Sequence, residues 1–204
     1  MRIGILGSGA VGQALARGHA RHGHETRIGT RKPDKPDLAE FATGTVDAVA
    51  QWGELLILAV DGSAAEALAR DVASAAAGKV LIDATNPLDF SGGVRGLFVG
   101  TTDSLGERVQ RAAPDARVVK AYNIVGNAQM VDPEISGGRP TMLIAGNDDD
   151  AKASVLALLE DTGWDALDIG DITMSRWLEP IALAWVAYGV RAGTWNHAFR
   201  LLRG

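Results

Sequence analysis

Short apolar runs alternate with longer stretches of helical period from the first residue onward. Residues 2–7 (RIGILG) and 54–60 (ELLILAV) read as strands buried on both faces, and residues 24–30 (HETRIGT) and 79–85 (KVLIDAT) as further strands. Between them, Ala10 to His22 and the alanine-rich stretch Ser63 to Ala77 have helical patterns. The segments LAEFA and VDAVAQW are short and helix-like, with a weak strand possible over Gly44 to Val46. Such alternation predicts βαβ units on a parallel sheet covered by helices on both faces.

The second half is less regular. Residues Asn86 to Thr101 are rich in glycine and proline and read as a functional loop. A helix is expected from Ser104 to Ala113, then the strand ARVVKAY, a loop over Asp132 to Arg139, and the strand TMLIAG. A helix follows with Asn147 as its N-cap, which places Asp148, Asp149 and Asp150 at the positive end of its dipole. That acid run reads as a solvated first turn rather than a metal site. Asp171 to Arg203 reads as a mostly helical tail. There is no repeat, low-complexity segment or linker. The expected fold is one α/β domain over residues 1–204, a Rossmann-type doubly wound, mostly parallel sheet, with residues 171–204 as a C-terminal helical extension.

Composition narrows the classes. Of 204 residues, 47% are hydrophobic and 22% charged, which suits a folded globule. A net charge of −5 argues against broad nucleic-acid binding. The absence of cysteine excludes disulfides, thiolate metal sites and thiol nucleophiles, and fits a reducing cytoplasm. MRIGILGSG enters a strand and a glycine turn with no signal-peptide pattern, and the apolar run Ile181 to Val190 is too short to span a bilayer. The expectation is a soluble, cytoplasmic protein with neither membrane nor nucleic acid as partner.

Candidate chemistry begins at GILGSGAVGQALARG, where Gly7, Gly9 and Gly12 have G-x-G-x-x-G spacing. Gly7 would permit the tight strand-to-helix turn, Gly9 the approach of a pyrophosphate, and Gly12 close packing of helix on sheet. The phosphates would lie on free amides at the helix N-terminus. At the end of the second strand, where an acid would select NAD, the chain has Thr30, Arg31 and Lys32. A hydroxyl and two cations suit the 2′-phosphate of NADP. Asp34, between two prolines, reads as a turn residue.

These stretches, with IGTRKP, LLILAV, LIDATNPLDF and VVKAYNIVG in this order and spacing, resemble the short reductases grouped as coenzyme F420-dependent NADP oxidoreductases. The cytosolic domain of STEAP-type ferrireductases belongs to the same group. The resemblance covers nearly the whole chain. It implies NADP held by Gly7, Ser8, Gly9, Ala10 and Val11 and by Thr30, Arg31 and Lys32. It further implies that Ala59, Val60 and Asp61 cover the pyrophosphate and ribose, with Asn86 and Pro87 beside the nicotinamide. The acceptor would be a flavin or deazaflavin ring, most readily coenzyme F420, and the C-terminal helices would close the pocket and help form a homodimer. One departure is AYNIVGN, which stands where archaeal members carry a histidine-containing segment; this leaves the acceptor more open than the cofactor.

Hydride transfer between two flat rings requires alignment more than acid-base groups, and the chain has no H-E-x-x-H and no Tyr-x-x-x-Lys pair. Lys120 and Asn123 are the catalytic candidates, because they end a predicted parallel strand where open α/β sheets bind ligands. Asn123 would hydrogen-bond the nicotinamide or acceptor, and Lys120 would be a general acid for a carbonyl or imine; otherwise Lys120 is a surface residue. Tyr122 would pack on a helix. No metal site is expected: His19, His22 and His24 read as exposed around a helix end, and His197 as structural. Trp185, Trp195 and Phe199 form an aromatic tail. Two rival functions remain, a dehydrogenase or imine reductase of a small substrate and a non-catalytic NADP sensor.

Overall fold

The computed structural model describes residues 1–93 and 96–204; Val94 and Arg95, inside the glycine-rich loop, lie outside them. In chain order, β1 (Arg2–Leu6), α1 (Ala10–Arg21), β2 (Glu25–Gly29) and β3 (Thr43–Gly44) come first. They are followed by α2 (Val46–Trp52), β4 (Leu55–Leu58), α3 (Gly62–Asp71), α4 (Ala73–Ala76) and β5 (Val80–Asp83). A two-stranded hairpin, β6 (Leu88–Asp89) with β7 (Gly96–Leu97), occupies the predicted loop. Then come α5 (Leu105–Ala112), β8 (Arg117–Lys120), β9 (Thr141–Gly146), α6 (Asp149–Asp161), β10 (Asp165–Asp168) and α7 (Ser175–Ala192).

The main sheet has eight strands in the order β10-β9-β8-β5-β4-β1-β2-β3. All neighbours pair in parallel except β8 and β9, which are antiparallel. Strands β4 and β5 are buried at every position because helices cover both faces. One core joins Ile3, Ile5 and Ile57 to Leu15 of α1 and Val155 and Leu159 of α6. The other joins Leu6, Leu56 and Leu81 to Val49 of α2, Ala65 of α3 and Val109 of α5. The doubly wound, mostly parallel α/β fold expected from the periodicity is thus the observed one.

Several boundaries differ. Asp148, not Asn147, caps α6, its side chain accepting the Ala151 N–H at 2.7 Å, while Asn147 Oδ1 accepts the Ile172 N–H. LAEFA (residues 38–42) is irregular chain after a 3-10 turn at Pro36–Leu38 rather than a helix. The tail is helical only to Ala192. Gly193, at φ 65°, ends the helix in the left-handed conformation that glycine accepts most readily. Residues 194–204 run without regular structure and tie back to β9, where Phe199 O accepts the Thr141 N–H at 2.9 Å.

Candidate active site

From β1 the chain crosses to β2 and β3 on one side, whereas β4 and β5 lie on the other. The connections that leave the carboxyl ends of β1 and β4 therefore run to opposite sides, which makes a crevice of the kind that receives ligands in open α/β sheets. A cleft of about 750 Å³ opens there. Its lining brings together Gly7, Ser8, Gly9, Ala10 and Val11 after β1, and Thr30 and Arg31 after β2. Ala59, Val60 and Asp61 after β4 and Asn86 after β5 join them. Gly12, Lys32 and Pro87 are not in the lining.

The glycines differ in what they do. Gly7 has φ 135°, and a Cβ there would strike the Ala59 carbonyl. A Cβ on Gly12 would strike the Gly7 carbonyl, so its role is the packing of α1 against the turn. At Gly9 nothing lies within 4 Å of where a Cβ would stand; that space is the cleft itself. No side chain caps α1, and its first turn carries no acid. Its leading amides, with the positive end of the helix dipole, thus suit an anion. By contrast α3 is capped by Asp61, which accepts from Ser63 N at 2.9 Å and Ser63 Oγ at 2.5 Å.

At the β2 end, Thr30 is buried and its Oγ1 lies 3.0 Å from Ser8 Oγ, so one hydroxyl pair joins the glycine turn to the end of β2. The Lys32 N–H donates to the same Thr30 oxygen at 3.3 Å. Arg31 and Lys32 are exposed, with Arg31 on the cleft wall, and Asp34 sits in an exposed turn. Val46 and Leu68 add apolar wall to the cleft, and Asp71 adds a carboxylate. Sequence reasoning missed these three, because their meeting depends on how α2 and α3 pack.

The other end of the cleft lies after β5 and is lined by Thr85, Asn86, Leu88 and Phe90. Phe90 is 58% exposed and contributes an aromatic face to this end. Asn86 is fixed from behind by Asn123. Asn86 Nδ2 donates to Asn123 O at 2.7 Å, and Asn123 Nδ2 donates to Asn86 Oδ1 at 3.1 Å and to Leu178 O of α7 at 3.1 Å. Asn123 is buried and stands behind Asn86 rather than in the cleft lining. The preceding Tyr122 has φ 63°, rare for a bulky residue, and the turn this makes brings Asn123 beside Asn86.

Lys120 is not a surface residue. It is fully buried, with Nζ 2.9 Å from Asp83 Oδ2, 3.0 Å from Glu179 Oε1 and 2.7 Å from Thr85 O. Burial opposes its charge, but Asp83 and Glu179 outweigh burial and raise its pKa above the ordinary lysine value. Every N–H of the ammonium thus has a partner, and none is directed to the cleft. Asp83 and Glu179 were not singled out from the sequence. The available signal was an acid inside each apolar run, LIDAT and WLEPIALAW.

His19 is also buried, against the expectation of exposure. Its Nε2 lies 3.4 Å from the Tyr122 hydroxyl, which seats Tyr122 against α1 as expected. Burial, with lesser contributions from His24 and His22, lowers the His19 pKa to about 3. Among the described residues no group of three or more His, Asp or Glu could hold a metal ion. Among the described residues no helix is long and apolar enough to cross a membrane. In the tail, Trp185 is buried and stacks on His197 at 4.5 Å, its Nε1 donating to His197 O at 2.8 Å. Trp195 and Phe199 remain exposed.

A doubly wound sheet with a glycine turn, an uncapped helix N-terminus and a cation at the far wall defines the class of dinucleotide-binding α/β proteins. Residues 2–87 match the family described as NADP oxidoreductase, coenzyme F420-dependent. The F420-dependent NADP reductase of Methanothermobacter marburgensis is 32% identical over 98% of this chain and 98% of its own length. The chain belongs to this family, and it is an NADP-dependent oxidoreductase. Rat metalloreductase STEAP3 is 29% identical over 89% of this chain, which spans only 36% of that protein's length. A solved structure from Arthrobacter sp. FB24 superposes with TM-score 0.93 and 37% identity over 100% of both chains; its assignment as an F420-dependent NADP-reductase is provisional. An imine reductase of Streptomyces aurantiacus shares the fold, with TM-score 0.69 at 16% identity over 94% of this chain and 64% of its own.

Proposed function

We propose that the protein transfers a hydride between NADP(H) and a flat, flavin-like acceptor, with coenzyme F420 the foremost candidate. The pyrophosphate lies on Gly9 to Val11 at the start of α1, the 2′-phosphate meets Thr30, Arg31 and Lys32, and Ala59 to Asp61 cover the ribose side. Three inter-strand steps, about 14 Å, separate the β2 end from the β5 end, a span suited to an extended dinucleotide. That arrangement brings the nicotinamide to Asn86 and Pro87. The observation that carries the reading is the makeup of that end: Thr85, Asn86, Leu88 and Phe90 include no titratable group. Hydride transfer between stacked rings needs only alignment and dryness, whereas reduction of an imine needs a proton delivered to nitrogen. Phe90 offers the acceptor ring an aromatic face.

On this reading residues 1–204 work as one nucleotide-binding unit, cytoplasmic, with residues 171–204 closing the site and forming a homodimer. The supporting feature is the outer stripe of α7, where Trp177, Pro180, Ala184, Ala187 and Tyr188 all face solvent. Turnover is tested by the absorbance decay of NADPH with coenzyme F420, FMN, FAD, a cyclic imine, or no acceptor. Rapid oxidation with the deazaflavin or a flavin is expected. Turnover with the imine alone would replace this reading with the reductase of a small substrate. Binding of NADPH without any turnover would replace it with a sensor.

A further inference from the structure

Two consecutive residues of α7 reach two polar networks behind the β5 end of the cleft. Leu178 O accepts from Asn123, which holds Asn86. Glu179 binds Lys120, which holds Asp83 and the Thr85 carbonyl. Asp83 Oδ1 also accepts the Thr85 N–H at 3.0 Å and its hydroxyl at 2.6 Å. Glu179 in turn accepts the Leu105 and Gly106 amides at 3.0 and 2.9 Å, so its charge sits at the positive end of α5. Thr85 and Asn86 are the residues that line the cleft.

A cluster of three buried charges is seldom the most stable filling for such a volume, since apolar residues often do as well or better. What the cluster does supply is direction. Lys120 distributes its N–H groups among β5, the loop after β5, and α7, and each bond fixes one against the others. Asn123 repeats the arrangement one step further along the loop. Neither residue reaches the cleft. We infer that Lys120 and Glu179 are positioning residues, which lock the Thr85–Asn86 loop to α7 and thereby hold the nicotinamide ring at the angle hydride transfer requires. The inference rests on the assignment of the nicotinamide to the Asn86 end, but not on the identity of the acceptor.

Removing Lys120 alone strands two buried carboxylates and threatens the fold. The test therefore uses the charge-free variant Asp83→Asn/Lys120→Met/Glu179→Gln, in which the amide oxygen at position 83 still accepts both Thr85 bonds and the one at position 179 still accepts from α5. NADPH affinity is measured by calorimetry, and ring mobility by the anisotropy of the nicotinamide emission of bound NADPH. Single-turnover hydride transfer is measured to whichever acceptor the wild type uses. The expected result is NADPH affinity within about threefold of wild type, a clear fall in anisotropy, and hydride transfer slower by at least tenfold. Unchanged anisotropy in a variant that binds NADPH normally would overturn the inference. So would a loss of NADPH affinity as large as the loss of rate, because that marks general damage. If the wild type reduces no flavin-like acceptor, the proposed reaction fails while the anisotropy arm still decides the positioning role.

Discussion

At the scale of single residues, Gly9 and Arg31 separate folding from binding. Because open cleft surrounds the Cβ position of Gly9, Gly9→Val should fold with a normal melting temperature yet lose NADPH in calorimetry, as the branched side chain fills the pyrophosphate approach. Gly12→Val should instead fail to fold, since its Cβ meets the Gly7 carbonyl. Arg31→Ala should weaken NADPH by about 1.5 to 3 kcal/mol, the worth of a charge-assisted bond, and leave NADH nearly unaffected; equal losses would remove the phosphate role. These residues were legible in the sequence because the turn, the helix start and the end of β2 are local features. Lys120 was legible only as a residue of interest. Its partners Asp83 and Glu179 come from positions 37 and 59 residues away along the chain, and no local pattern pairs them.

At the scale of elements, α5 is clasped at both ends of its first turn. The Ser104 hydroxyl accepts the Glu107 N–H at 3.2 Å, which caps the helix, and donates to Glu107 Oε2 at 2.7 Å. Arg176 of α7 donates to both Glu107 oxygens, at 2.8 and 2.6 Å, and with the Ser104 bond holds that carboxyl below the usual glutamate range. Ser104→Ala should therefore cost about 1 to 2 kcal/mol in urea unfolding, at the upper end for an N-cap because the site is buried. Elements with strong periods were readable, among them α1, α2, β4 and β9. The strand β10 was not, because DALD has no apolar run; its Asp165 and Asp168 stand at the sheet edge, where water reaches them. The length of α7 was overestimated because apolar residues continue past Gly193. They serve the return of the chain to β9 rather than another helical turn.

For the whole molecule, acid and self-association are the informative variables. His19 is neutral when folded, with a pKa of about 3 against 6.5 for the free side chain. Below pH 6.5 the unfolded chain binds a proton that the folded one refuses. Stability should therefore be full above pH 6.5 and fall towards pH 3, by up to about 1.4 kcal/mol per pH unit from this group. Chemical unfolding between pH 7 and 5 measures the slope, and His19→Phe should flatten it. The exposed stripe of α7 predicts a dimer in sedimentation that Tyr188→Glu converts to a monomer. That residue is 56% exposed in the single chain, so the substitution should leave the monomer fold intact.

The breadth of the cleft has one more consequence. Arg31 stands after β2 and Asn86 after β5, three strands apart, with no shared partner in any hydrogen bond or ion pair described above. Free-energy changes at sites so separated combine additively. Substitutions that exchange one cofactor for the other should therefore leave the choice of acceptor where it was, and the reverse should hold too. A lineage built on this sheet can thus alter the source of its electrons and their destination in separate steps, each open to selection while the other stays in use.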